Sequence, residues 1–256
     1  MNKDKNSSLF ASVSAYARAF IPSKVSNKKV IQCFELLRKQ QRFFRVSRSR
    51  NEQKNMLALA SHRESIRKAH GMIEDQHSYK DVAYGVVNIS FSGCEVIALY
   101  NTLVFLSHQA SFPLNEWEED PVINFGQLIS RMEEDGIVLT GRAGTSPKAL
   151  LDYLNQSGFT TEFSWNTEEF DEIAARHDCS ILTFYNNGKD FMDQIHTVCI
   201  TKRAGAAGRP SFWYTVHNMY CNGHVPRSAP TVSRLMDQAS RGKAKMISLI
   251  GVSLPA

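Results

Sequence analysis

The stretch Asn88-Ile89-Ser90-Phe91-Ser92-Gly93-Cys94-Glu95-Val96-Ile97-Ala98-Leu99 decides how the chain is read. Its first half is a turn. From Cys94 onward, Val96, Ile97, Ala98, Leu99, Leu103, Val104, Phe105 and Leu106 place apolar side chains on nearly every side of a helix. A helix apolar all round is a buried one. Cys94 therefore opens a central helix, whose N-terminus stabilises a nearby anion by roughly 0.3–1 kcal/mol. A cysteine attacks as its thiolate, and a free pKa of about 8.5 leaves little thiolate at neutral pH. The helix start is too weak alone, so activation calls for an imidazole partner. Gly93, without a Cβ, reads as room for a substrate to approach the sulfur.

Working outward, the C-terminal third supplies the partner. Ser180 to Tyr185, Ile195 to Thr201, Phe212 to Tyr220 and Met246 to Leu254 read as strands, with Phe159 to Phe163 a shorter one. Helices are expected across Gln127 to Glu134, from Pro147 to Gly158 behind a Thr145 or Ser146 cap, over Thr167 to Arg176, and over Thr231 to Ser240. Helices first and an antiparallel sheet after is an α+β arrangement. In the strand Ile195-His196-Thr197-Val198-Cys199-Ile200, His196 shares a face with Val198 and Ile200. Asn218, near the end of the next strand, is placed to accept the imidazole N–H through its amide oxygen, with His217 beside it on the opposite face. Asn88, six residues ahead of Cys94, is placed to donate to an oxyanion beside the Cys94 N–H.

This order resembles papain-like cysteine peptidases: Cys, then His on a strand, then Asn on the following strand, with an amide side chain six residues before Cys. The likeness is closest to the bacterial branch that cuts bacteriocin leaders after double glycine, and it extends over about residues 84–220. The resemblance implies a papain-like fold and a Cys94-His196-Asn218 triad with Asn88 in the oxyanion hole. It implies hydrolysis of a peptide or amide bond in a peptide or protein substrate, with no cofactor or metal. Asn88 stands where that branch usually has Gln; Glu95 and Asn218 stand where it has Gly and Asp.

Composition frames the rest. A hydrophobic fraction of 43% and charged fraction of 21% are ordinary for a globular chain. Residues 1–70 hold sixteen Lys and Arg against four Asp and Glu, while residues 71–256 hold fourteen against twenty-one. The chain is thus expected to divide into a basic, largely helical extension over 1–80 and a catalytic domain over 81–256. Two readings fit the basic residues 28–70. One is an arm or pro-segment for an acidic partner; the other, favoured, is a helical face packed on the acidic remainder. Nucleic acid is not expected, since only Phe43 and Phe44 interleave the basic run Arg38, Lys39, Arg42, Arg45, Arg48 and Arg50. No signal peptide or transmembrane run is visible, and five irregularly spaced cysteines suggest no disulfide framework, so a reduced cytoplasmic protein is expected.

Blander and rival readings stand beside the triad. Taken singly, a cysteine is more often a packing residue than a nucleophile. Zinc is disfavoured because His196 and Cys199 point to opposite strand faces, and His217, Cys221 and His224 lack a paired Cys-x-x-Cys. The same Cys-His pair could also serve acyl transfer to an amine. A catalytically silent scaffold, binding a partner through the basic arm, is the third alternative.

Overall fold

The computed structural model describes residues 26–41, 48–109, 120–186, 195–205, 211–219 and 227–255. Arg42, Phe43, Phe44, Arg45, Cys221 and His224 lie outside them. The elements begin with α1 (Asn27–Gln41) and α2 (Arg48–Lys68). A small hairpin follows, β1 (Ala83–Tyr84) with β2 (Val87–Asn88), then the short helix α3 (Ile89–Ser92) and the central helix α4 (Cys94–Gln109). Next come α5 (Pro121–Asp135), α6 (Pro147–Gln156), β3 (Thr160–Ser164), α7 (Phe170–Arg176), β4 (Cys179–Tyr185), β5 (Ile195–Ala204), β6 (Phe212–His217), β7 (Arg227–Ala229), α8 (Val232–Ser240) and β8 (Lys245–Ser253).

The α+β class holds. Helices dominate the first half, and a six-stranded antiparallel sheet in the order β3-β8-β4-β5-β6-β7 forms the second. Local chemistry explains several boundaries. Ser146 caps α6 ahead of Pro147, Asp120 caps α5 ahead of Pro121, and Thr231 caps α8, each accepting a main-chain N–H at the helix start.

Strand alternation splits the sheet into two covered faces. Cys179 and Ile181 of β4, with Ile250 and Val252 of β8, pack with α4 and α5. Leu182, Phe184, Val198, Ile200 and Val216 face α7 and α8. The central helix is as buried as its sequence demands, with Cys94 to Val104 and Leu106 all inside.

The division expected at residue 80 is not a division of the core. Leu59 and Ile66 of the basic helix α2 belong to the same cluster as Val96, Leu99 and Leu103. Two buried asparagines weld the parts together. Asn55 of α2 binds both the N–H and the carbonyl of Ala83, at 2.7 and 2.9 Å. Asn101 of α4 does the same to Ile73, at 2.8 and 2.9 Å. An amide side chain matches a main-chain amide donor for acceptor, so each pair leaves no buried polar group unpaired.

Two of the described basic residues, Arg38 and Arg63, pair with acids of the remainder, while Lys28, Lys29, Lys39, Lys54, Arg67 and Lys68 are exposed. Arg38 binds Glu35 and Asp152, each at 2.9 Å, and the carbonyl of Asp135. Arg63 binds Asp120 at 2.7 Å. These are contacts of a helical face with the acidic remainder of its own chain. No helix among the described residues is long and apolar enough to cross a membrane.

Candidate active site

Asn88 ends β2 with extended backbone and caps α3, its side-chain oxygen accepting the Phe91 N–H at 2.9 Å. The four-residue helix then meets α4 at Gly93, whose N–H returns to the Ile89 carbonyl. A Cβ on Gly93 would lie 2.7–2.9 Å from Ile89 atoms. The glycine is thus required by the tight junction of α3 and α4, which corrects its reading as a substrate passage.

Cys94 lines a cavity of about 440 Å³ together with Phe34, His77, Asn88, Ser92, Glu95 and Gly144, among others. Cys94 is 5% exposed, and the main-chain N–H of Thr197 is directed at its sulfur. The β5–β6 ladder begins only at Cys199 opposite His217, so Thr197 has no partner on β6. Burial pushes the Cys94 thiol well up, the neighbouring Glu95 carboxylate pushes it further, and the Thr197 N–H opposes both. Glu95 is itself raised to about 7 by burial, against hydrogen bonds from its own main-chain N–H, from the Cys94 thiol and from the Thr145 N–H. Two anions side by side in a dry site disfavour each other, so the resting form carries at most one of them ionised.

His196 is the second expected member and stands one residue before Thr197 in β5. Its imidazole stands edge-on to Phe184, with ring centroids 5.6 Å apart. Nε2 lies 2.8 Å from the main-chain carbonyl of Asn218. A carbonyl only accepts, so the proton sits on Nε2 and Nδ1 carries the basic lone pair. Burial lowers the imidazole to about 4, and His77 adds to that lowering while the Asn218 carbonyl opposes it. The groups that shift the Cys94 thiol are Glu95 and the Thr197 N–H, alongside burial. The face His196 shares with Val198 and Ile200 is opposite the one α4 covers, and among the described residues His196 is not part of the lining of the Cys94 cavity.

Asn218 holds His196 by a different atom from the one expected. The main-chain oxygen orients the ring, while the side-chain amide faces the Gln76 main chain and side chain. The cause is backbone conformation. Asn218 has φ +58°, so the chain leaves β6 in a left-handed turn that aims its carbonyl, not its amide, at the imidazole. His217 is bonded to Glu74 at 2.6 Å and to Thr201 at 2.9 Å.

Asn88 keeps its amide nitrogen without a hydrogen-bond partner on the cavity wall, since capping uses only its oxygen. Two further polar atoms flank the thiol buried and unpartnered: Ser92 Oγ and Glu95 Oε2. Sequence reasoning passed over both Ser92 and Glu95. The available signal was their place two before and one after Cys94 at the helix start. No group of three metal-ligating side chains is assembled among the described residues.

Fold and site together define an α+β protein with a buried thiol at a helix start and a tautomer-fixed imidazole on the adjoining sheet. Comparison with protein-family models, with curated proteins and with solved structures gives no match for this chain.

Proposed function

We propose that the chain is a thiol hydrolase of papain-like type, acting on a peptide or amide bond with Cys94 as nucleophile and His196 as base. The carrying observation is that the Cys94 sulfur sits on the Thr197 N–H while His196 keeps its Nδ1 basic by committing Nε2–H to Asn218. Both groups rest neutral, the thiol raised and the imidazole lowered. The thiol proton then passes to Nδ1 as the carbon–sulfur bond forms, and returns to the leaving nitrogen as the carbon–nitrogen bond breaks. Water repeats the sequence on the thioester, releasing the acid and restoring the thiol. The free amide nitrogen of Asn88 and the Cys94 N–H are the donors for the oxyanion. The unpartnered Ser92 hydroxyl and Glu95 oxygen supply polar contacts for the scissile peptide.

The test is site-resolved alkylation of the full chain with iodoacetamide, followed by turnover of a fluorogenic peptide library. Cys94 is expected to label faster in the wild type than in His196→Ala, and Cys94→Ala to lose turnover. Equal labelling in the two, or turnover surviving Cys94→Ala, sinks the proposal.

A further inference from the structure

We infer that Glu74 and Gln76, from the segment ahead of the Cys94 helix, are positioning residues that fix the carbonyl on which His196 is oriented. The inference rests on the reading of His196 as the base. Glu74 commits both carboxylate oxygens to the end of β6. Oε1 meets His217 Nδ1 at 2.6 Å, and Oε2 accepts the Asn218 N–H at 3.0 Å. A carboxylate accepts, so His217 carries its proton on Nδ1, and its other ring nitrogen meets the Thr201 hydroxyl at 2.9 Å.

Gln76 then takes the Asn218 side chain by both ends. Its main-chain N–H donates to Oδ1 at 3.0 Å, and its Oε1 accepts from Nδ2 at 3.3 Å. Its own amide nitrogen donates to the Ser90 carbonyl, at 3.3 Å, in the short helix that leads to Cys94. Gln76 is 2% exposed and Asn218 fully buried, so water does not compete for these bonds. One glutamine thus ties the turn carrying the nucleophile to the turn carrying the imidazole's acceptor.

The left-handed backbone of Asn218 is what this clamp holds in place. Asparagine is among the few residues that adopt this left-handed backbone, and at Asn218 the surrounding bonds hold it there. Glu74 and Gln76 supply those bonds. Release them, and the backbone has reason to leave the left-handed region, taking the carbonyl from Nε2 and shifting the tautomer balance of the ring. The segment around residues 74–76 therefore belongs to the site and is not a detachable part of a leader.

Long-range ¹H–¹⁵N spectra of the histidine ring nitrogens in the full chain decide this, read beside iodoacetamide labelling of Cys94 and thermal melting. The wild type is expected to show His196 as one Nε2–H tautomer. Glu74→Ala should give a tautomer mixture and slow Cys94 labelling at pH 7 about tenfold, the size of one lost oriented hydrogen bond. Glu74→Gln, which keeps an acceptor for the Asn218 N–H, should restore most of both. Gln76→Ala should shift the spectrum in the same direction by less, and serves alone if Glu74→Ala does not fold. A variant that melts earlier with an unchanged His196 tautomer overturns the positioning role. If instead His196→Ala labels like the wild type, the reading of His196 as base fails, and that outcome is distinct from an unchanged tautomer in Glu74→Ala.

Discussion

The imidazole of His196 donates from Nε2 to the main-chain carbonyl of Asn218 across 2.8 Å, while the Asn218 side chain is turned onto Gln76. Replacing that side chain therefore leaves the acceptor atom of His196 in the chain. What is lost is its pair of buried bonds to Gln76, a loss of about 1–3 kcal/mol. Glycine suits the φ of +58° and alanine does not. Urea denaturation should therefore place Asn218→Ala about 1 kcal/mol below Asn218→Gly in stability.

Asn88 has two separable tasks. Its oxygen caps α3, and its amide nitrogen is the one assigned to the oxyanion. Aspartate is as good a cap as asparagine but has no N–H to donate. Asn88→Asp should melt within a few degrees of the wild type yet lose about 10²–10³ in turnover of a peptide substrate. Loss of both together would return Asn88 to a purely capping role.

Buried Glu95 and buried His196 titrate in opposite senses. His196 is lowered to about 4 in the fold, so the unfolded chain binds the extra proton, and its contribution to stability is lost as pH falls from the ordinary histidine range toward 4. Glu95 is raised to about 7, so the folded chain holds the extra proton, and that contribution is lost as pH rises from the ordinary carboxylate range through 7. Between about pH 4.5 and 6.5 the two slopes offset. Glu95→Gln should uncover a stability that rises with pH by up to about 1.4 kcal/mol per unit, and His196→Ala one that falls. Denaturant midpoints measured across this range check the signs.

Glu95 also bears on the Cys94 thiol. Its ionised carboxylate is the second cause, after burial, of the raised Cys94 thiol. Glu95→Gln removes that charge with little change in shape, so iodoacetamide should label Cys94 faster at pH 8 than in the wild type. A slower rate would mean the carboxylate assists thiolate formation instead.

Gly144 has φ +67°, and a Cβ there would stand 2.6 Å from the Glu95 Oε2. Both the backbone and the buried carboxylate resist a side chain. Gly144→Ala should cost about 2–4 kcal/mol in stability, and pairing it with Glu95→Ala should recover part of that loss in a double-mutant cycle.

Much of this was written in local pattern. The all-round apolar run after Cys94, the Ser146-Pro147 start of α6 and the apolar runs of β4, β5 and β8 are spacings of a few residues, governed by helix and strand periods. Chain order placed Asn88, Cys94, His196 and Asn218 in sequence, and the burial of the central helix followed from its composition. The tertiary structure decided what spacing does not encode. Glu74 and Gln76 reach Asn218 across more than 140 positions, a pairing set by how the sheet folds back on the helices. A left-handed turn at Asn218 chose carbonyl over amide. Packing around α4 turned Glu95, an ordinary charged residue by type, into a buried acid beside the thiol, and drew Leu59 and Ile66 of a basic helix into the common core. Local sequence dictates conformation over a turn or two; burial and long-range partners exist only once the layers close on one another.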